Sequence, residues 1–154
     1  MKWVTRERPK IDRVACPWLI RRFIDREAEF LFVAPDRVRA VAESTGATPY
    51  DVEGVELSHD GPRCSFDLFL ERYELTDPHL QELATIVRGA DTDRLDLAPQ
   101  SAGLLAISLG LSRNFPDDHE MLGHGFVIYD ALYAWSKHVR GERHTWNPQR
   151  GVVA

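Results

Sequence analysis

The sequence predicts an α+β fold: a single, mainly helical domain spanning residues 1–154, with a small N-terminal β-sheet. Three observations lead there. The first third holds short apolar runs rich in aromatic and branched side chains, bounded by prolines, which is the pattern of buried strands. From position 64 onward the apolar residues recur at helical spacing. At 154 residues and 44% hydrophobic content the chain has the size and composition of one cored domain.

Taken in order, Trp3 to Thr5 reads as a strand broken before Pro9. Pro17, which has no amide hydrogen, suits a first helical turn, so a helix is expected from near Cys16 to Ile24. EFLFV at 29–33 reads as a buried strand. Asp36 to Ser44 reads as a helix ended near Gly46, and TPYDV at 48–52 as a further strand. SFDLFLERY then opens the helical part. The following helix has Asp77 as N-cap, Pro78 at its first position and Gly89 at its end. Residues 101–111, SAGLLAISLGL, are apolar nearly all round and are expected to form the central buried helix. A last long helix runs from 117 to about 139, and the tail after Gly141 is expected to be loosely held.

A net charge of -5 repels a phosphate backbone and disfavours nucleic-acid binding. Only Cys16 and Cys64 are present, too few and too far apart for a zinc pair or a disulfide scaffold, so two reduced thiols are expected. No secretory signal or 18-residue apolar run is visible, which points to the cytoplasm and to no membrane partner. Phosphate-cradling glycine loops, dinucleotide fingerprints, nucleophile elbows and zincin helices are all missing.

Four groups of residues carry candidate chemistry. With Asp117 as N-cap, Glu120 and His124 head an apolar stripe that continues through Val127, Ile128, Ala131 and Trp135. They read either as a capping pair with a core histidine or as metal ligands. Glu56 and His59 form a second imidazole–carboxylate pair. Together with His119, Glu120 and His124 they would suit a divalent iron, manganese or zinc ion, which requires that His59, Glu120 and His124 approach one another. Asp91, Asp93 and Asp96 form a D-x-D cluster that lacks the other calcium-loop ligands and reads as a solvated loop offset by Arg88 or Arg94. Arg6 and Arg13 lie in the one locally basic stretch, near a helix start, where guanidinium forks favour an oxyanion. Cys16 is close enough to those arginines for its pKa to be lowered.

The stretches KIDRVACPWLIRRFID, YDVEGVELSHDGPRCSFD, IVRGADTDRLDLAPQSAGLLAISLGLSRNFPDDHEML and HGFVIYDALYAW resemble the chromate-resistance (ChrB-type) domain family over nearly all of residues 3–135. That resemblance implies a bacterial stress-response role in chromate sensing or resistance, with chromate or a related oxyanion as ligand and a rhodanese-like or regulatory protein as partner. It carries over Arg6, Arg13 and His59, in the motifs WVTR, KIDR and ELSH, as the anion-binding or sensing site. The segment that precedes the domain in the longer regulator is not expected here, and DNA binding by this chain alone is not expected. The expected function is therefore an oxyanion- or metal-binding sensor or accessory domain. The alternative is a metalloenzyme acting on chromate or on reactive oxygen through Glu56, His59, His119, Glu120 and His124.

Overall fold

The computed structural model describes residues 1–149. Three strands, β1 (Lys2–Arg6), β2 (Glu29–Val33) and β3 (Thr48–Pro49), form a parallel sheet in the order β2-β1-β3. Six helices follow the same chain order: α1 (Asp12–Leu19), α2 (Val38–Thr45), α3 (Ser65–Arg72), α4 (Pro78–Asp91), α5 (Ser101–Asn114) and α6 (Asp118–Ala134). Helices α1 and α6 each continue into a π-turn, Ile20–Ile24 and Trp135–Val139. The chain is α+β and mainly helical, as its periodicities imply.

Side chains alternate across a strand, so β1 shows what covers each face of the sheet. Trp3 is fully buried against Tyr50, Phe69 and Tyr73 in the main core. Val4 points the other way and meets Val38 and Ala47 beneath α2. With helices on both faces, parallel pairing is the expected arrangement, and α1 and α2 lie in the two crossover connections.

Local signals placed several boundaries. Strand 29–33 is observed where it was expected, Asp77 caps α4 by accepting from the His79 amide at 2.8 Å, and Gly46 ends α2 at φ 74°. Others moved for identifiable reasons. β3 covers two residues instead of five, because Asp51 turns the chain at φ 48° once the Tyr50 amide has donated to the Val4 carbonyl. Helix α1 begins at Asp12, not near Cys16, and Pro17 lies inside it. One missing amide is tolerated in a helix clamped by packing. Gly89 does not end α4. A Cβ at that position would collide with Ser101 of α5, so the glycine lets the two helices touch.

The central buried helix is α1, not α5. Seven of the eight α1 residues are buried, all but Arg13, and the helix packs against α3, α4 and α6. Helix α5 buries only Ser101, Leu104 and Ser112, and leaves Ile107 at 47% and Leu109 at 49% exposure. Its all-round apolar character reflects an outer face that no other described element covers. Residues 142–149 are exposed, in keeping with a loosely held tail, and the rest of that tail, 150–154, lies outside the described residues. Among the described residues no helix is long and apolar enough to cross a membrane.

Candidate functional site

Strand β1 continues through α1 to β2 on one side, while β3 joins on its other side, so the connections diverge at the carboxyl ends of β1 and β3. In parallel sheets covered by helices, that divergence opens the crevice where ligands bind. Arg6 is the last residue of β1, Asp51 follows β3, and Asp12 opens α1. Asp91 is the last residue of α4, and His59 comes from the loop before α3. All five meet in this crevice.

His59 is the hub. Its Nε2 lies 2.8 Å from Asp91 Oδ2, 3.3 Å from Asp51 Oδ1 and 3.6 Å from Asp12 Oδ2. Asp12 is fully buried, and its carboxylate accepts the Ser65 amide at 2.6 Å and the Phe66 amide at 3.0 Å, at the start of α3. Asp51 accepts the Ser65 hydroxyl at 2.7 Å. On its outer side Arg6 donates to the Asp51 carbonyl at 3.0 Å and its carboxylate at 3.3 Å, and Arg13 Nε stands 3.5 Å from the same carboxylate. Arg13 also donates to the carbonyls of Arg6 and Glu7.

The backbone here is strained. Ile11 is β-branched yet sits at φ 46°, a conformation such residues rarely adopt, and Tyr129 holds it by donating to its carbonyl at 3.1 Å. Asp12, the next residue, is fully buried.

Crowded carboxylates and burial reshape the titration of the cluster. Burial pushes Asp12 well above the ordinary carboxylate value, and the charges of Asp51 and Asp91 add to that rise. Asp91 is raised by the same two causes, burial and the Asp51 charge. Asp51 works against its own burial and is held low by hydrogen bonds from His59 and Ser65. The hydrogen bond to Asp51, with attraction from all three carboxylates, lifts His59 to about 9. His59 is therefore an imidazolium at neutral pH, set among Asp12, Asp51 and Asp91, with Arg6 and Arg13 on the outer side of Asp51.

The structure brings Arg6, Arg13 and His59 together, all around Asp51. It does not bring the proposed ligands Glu56, His119, Glu120 and His124 to His59. Glu56 is exposed and pairs with Arg72 at 3.4 Å. On α6, His119 meets Phe32 edge-on, His124 stacks on Phe115 at 4.0 Å, and Asp117 caps the Glu120 amide at 2.8 Å. All three of these α6 residues are exposed, because the helix turns Met121, Leu122, Gly125 and Tyr129 to the core. The stripe through Glu120, His124 and Val127 thus faces outward, opposite to its expected direction. Among the described residues, Asp12, His59 and Asp91 form the one group of three able to reach a common ion, with a ligand atom from each within 4.8 Å of the others.

The acids of this group went unselected in the sequence. Asp91 belongs to the D-x-D cluster, but it turns inward while Asp96 pairs with Arg94 at 2.9 Å and Arg88 goes to Asp67. Asp12 was visible only as an acid next to Arg13. A usable signal existed: three of the resembling stretches supply Asp12, Asp51 with His59, and Asp91 in turn. The thiols also differ from expectation. Burial, then the neighbouring Asp12 charge, pushes Cys16 well up instead of down, and Cys64 is raised by the same two causes. Both shifts favour the protonated thiol over the nucleophilic thiolate at neutral pH.

A family described as the ChrB C-terminal domain matches residues 3–136 of the chain. Protein ChrB of Cupriavidus metallidurans is 34% identical over 133 residues, which cover 86% of this chain and 40% of that relative. The chain thus spans well under half the length of the curated relative it matches. No solved structure matches.

Proposed function

The chain belongs to the ChrB C-terminal domain family, and from that premise we propose that it is a chromate-resistance domain whose working part is a transition-metal site formed by Asp12, His59 and Asp91. The observation that carries this reading is the convergence of Asp91 and Asp12 on a single imidazole nitrogen, at 2.8 and 3.6 Å, with Asp51 beside them at 3.3 Å. Ligands at right angles about an ion, with bonds of about 2.1 Å, stand about 3 Å apart, so the spacing suits one ion. Imidazole with carboxylates favours divalent manganese, iron or zinc. Such an ion would replace the proton on His59 and leave the ring neutral as a ligand.

Arg6 and Arg13 take a positioning role in this reading, because their inner faces are engaged by Asp51. A chromate dianion approaching the bare cluster meets three aspartates. A bound divalent ion would reverse the local field, and the cavity of about 400 Å³ beside His59, lined also by Arg6, Ser58, Asp51 and Glu53, would then offer room for an oxyanion. Chromate sensing would then require the metal.

Calorimetric titration of chelator-treated protein with each of the three ions tests the proposal. One equivalent of at least one ion is expected to bind, and His59→Ala or Asp91→Asn should each weaken it at least tenfold, about 1.4 kcal/mol. Chromate should bind the loaded protein more tightly than the metal-free protein. Absence of stoichiometric binding for all three ions would remove the proposal.

A further inference from the structure

Helix α6 has two faces of different character. Its inner face holds Met121, Leu122, Gly125 and Tyr129 against the core. Its outer face presents Glu120, His124, Val127, Ala131 and Ala134, all exposed, with Val127 at 64%. The steps between these positions alternate, four, three, four and three residues, which is the seam spacing of paired helices. His138, four residues beyond Ala134, is exposed at the end of the following π-turn.

The seam is symmetric about position 129. Val127 and Ala131 lie two residues on either side of it, His124 and Ala134 five, and Glu120 and His138 nine. Charge follows the same symmetry. The first turn presents exposed Asp117 and Glu120, and the far end exposed Lys137 and His138, whereas Asp118 and Arg140 are taken up within the chain by Arg8 and Glu82. A second copy laid antiparallel along this face would set Val127 against Ala131, and would place each acidic end beside the partner's basic end. Antiparallel macrodipoles act in the same direction. A parallel pair would oppose like charges at both ends. The small side chains Gly123, Ala131 and Ala134 permit close approach, and nothing stands within 4 Å of a Cβ built on Gly123. Ile107 of α5, 47% exposed, lines a cleft with Ile128 of α6.

From this symmetry we propose that two copies of the chain pair through the outer face of α6, antiparallel, about a two-fold axis near position 129. The interface is isologous and closes on itself. It also lies back to back with the aspartate–histidine cluster, because Tyr129 on the inner face of α6 holds Ile11 next to Asp12.

Sedimentation equilibrium of the full chain is expected to show a monomer–dimer equilibrium. Val127→Glu places two carboxylates in the apolar centre and should raise the dissociation constant at least tenfold, with unchanged helical circular dichroism because residue 127 touches solvent. A second measurement locates the face. Chains carrying Val127→Cys, mixed with chains carrying Ala131→Cys, should form a disulfide-linked dimer under mild oxidation. Glu120→Cys chains should not link to each other, since antiparallel pairing sets those positions about 27 Å apart along the axes. A parent chain that stays monomeric up to about 100 µM, an affinity too weak for a specific homodimer, overturns the proposal. So does a dimer that survives Val127→Glu and fails to link through 127 and 131.

Discussion

Helices α1 and α5 reverse what their compositions suggest. α1 carries two charged residues in eight and is the most enclosed helix of the fold, whereas α5 carries one in fourteen and lies at the surface. The difference lies in what surrounds each. α1 has packing partners in α3, α4 and α6, and its charges are answered inside: Asp12 by two amides of α3, Arg13 by Asp51 and two carbonyls. α5 packs on α4 and α6 along one side only. Hydropathy states what a helix tolerates losing from water, and the arrangement of the other elements decides whether it loses it.

If Asp12 is the group that makes a charged helix buriable, removing it should be the costliest change in this comparison. Asp12→Ala leaves the Ser65 and Phe66 amides unpaired in the core, at about 1–3 kcal/mol each, so a loss of about 3 kcal/mol or more in urea unfolding is expected. Asp12→Asn keeps one carbonyl acceptor and removes the repulsion from Asp51 and Asp91, and should cost clearly less. Leu109→Ala on the exposed side of α5 should stay within about 0.5 kcal/mol of the parent. Equal losses at positions 12 and 109 would erase the distinction between the two helices.

Local chemistry was legible in the sequence, and long-range chemistry was not. The Asp77–Pro78 start of α4, the Asp117 cap of α6 and strand 29–33 each depend on a few adjacent residues. Arg6, Arg13 and His59 stood out because their types and motifs were distinctive. Asp12, Asp51 and Asp91 are three among 24 acids, and nothing adjacent to Asp12 tells that it will meet Ser65, 53 positions away. The inward reading of Glu120 and His124 failed for a related reason. α6 is apolar on nearly every side, so spacing alone does not select which face meets the core.

His59 sharpens the comparison through pH. In metal-free protein its value rises from about 6.5 unfolded to about 9 folded, chiefly through the hydrogen bond to Asp51. A raised value means the folded state holds the proton more tightly, so this contribution is complete below about pH 6.5 and is lost as pH climbs through 9. The parent should therefore lose stability between those limits, and His59→Gln should lose most of that slope. Denaturant unfolding at several pH values under chelator measures it. A parent and variant with parallel profiles across the window would show that the acids around α1 do not depend on this imidazolium.

Two glycines, one on α6 packed against α1 and one on α5, should respond with opposite signs. Gly125 of α6 faces α1, and a Cβ there would run into Cγ1 of Val14. Valine is branched and stiff at χ1, so the collision forces Val14 or the α1–α6 contact to shift. Gly125→Ala should cost about 1–3 kcal/mol, as overpacking does. Gly110 of α5 has nothing within 4 Å of such a Cβ and lies inside a regular helix. Gly110→Ala adds no collision, lowers the conformational freedom of the unfolded chain, and should stabilise by about 0.5–1 kcal/mol. Thermal unfolding of the two variants reads both signs in one experiment. If Gly110→Ala also destabilises, α5 has a close neighbour on its outer side, and its exposure in the single chain is not its condition in solution.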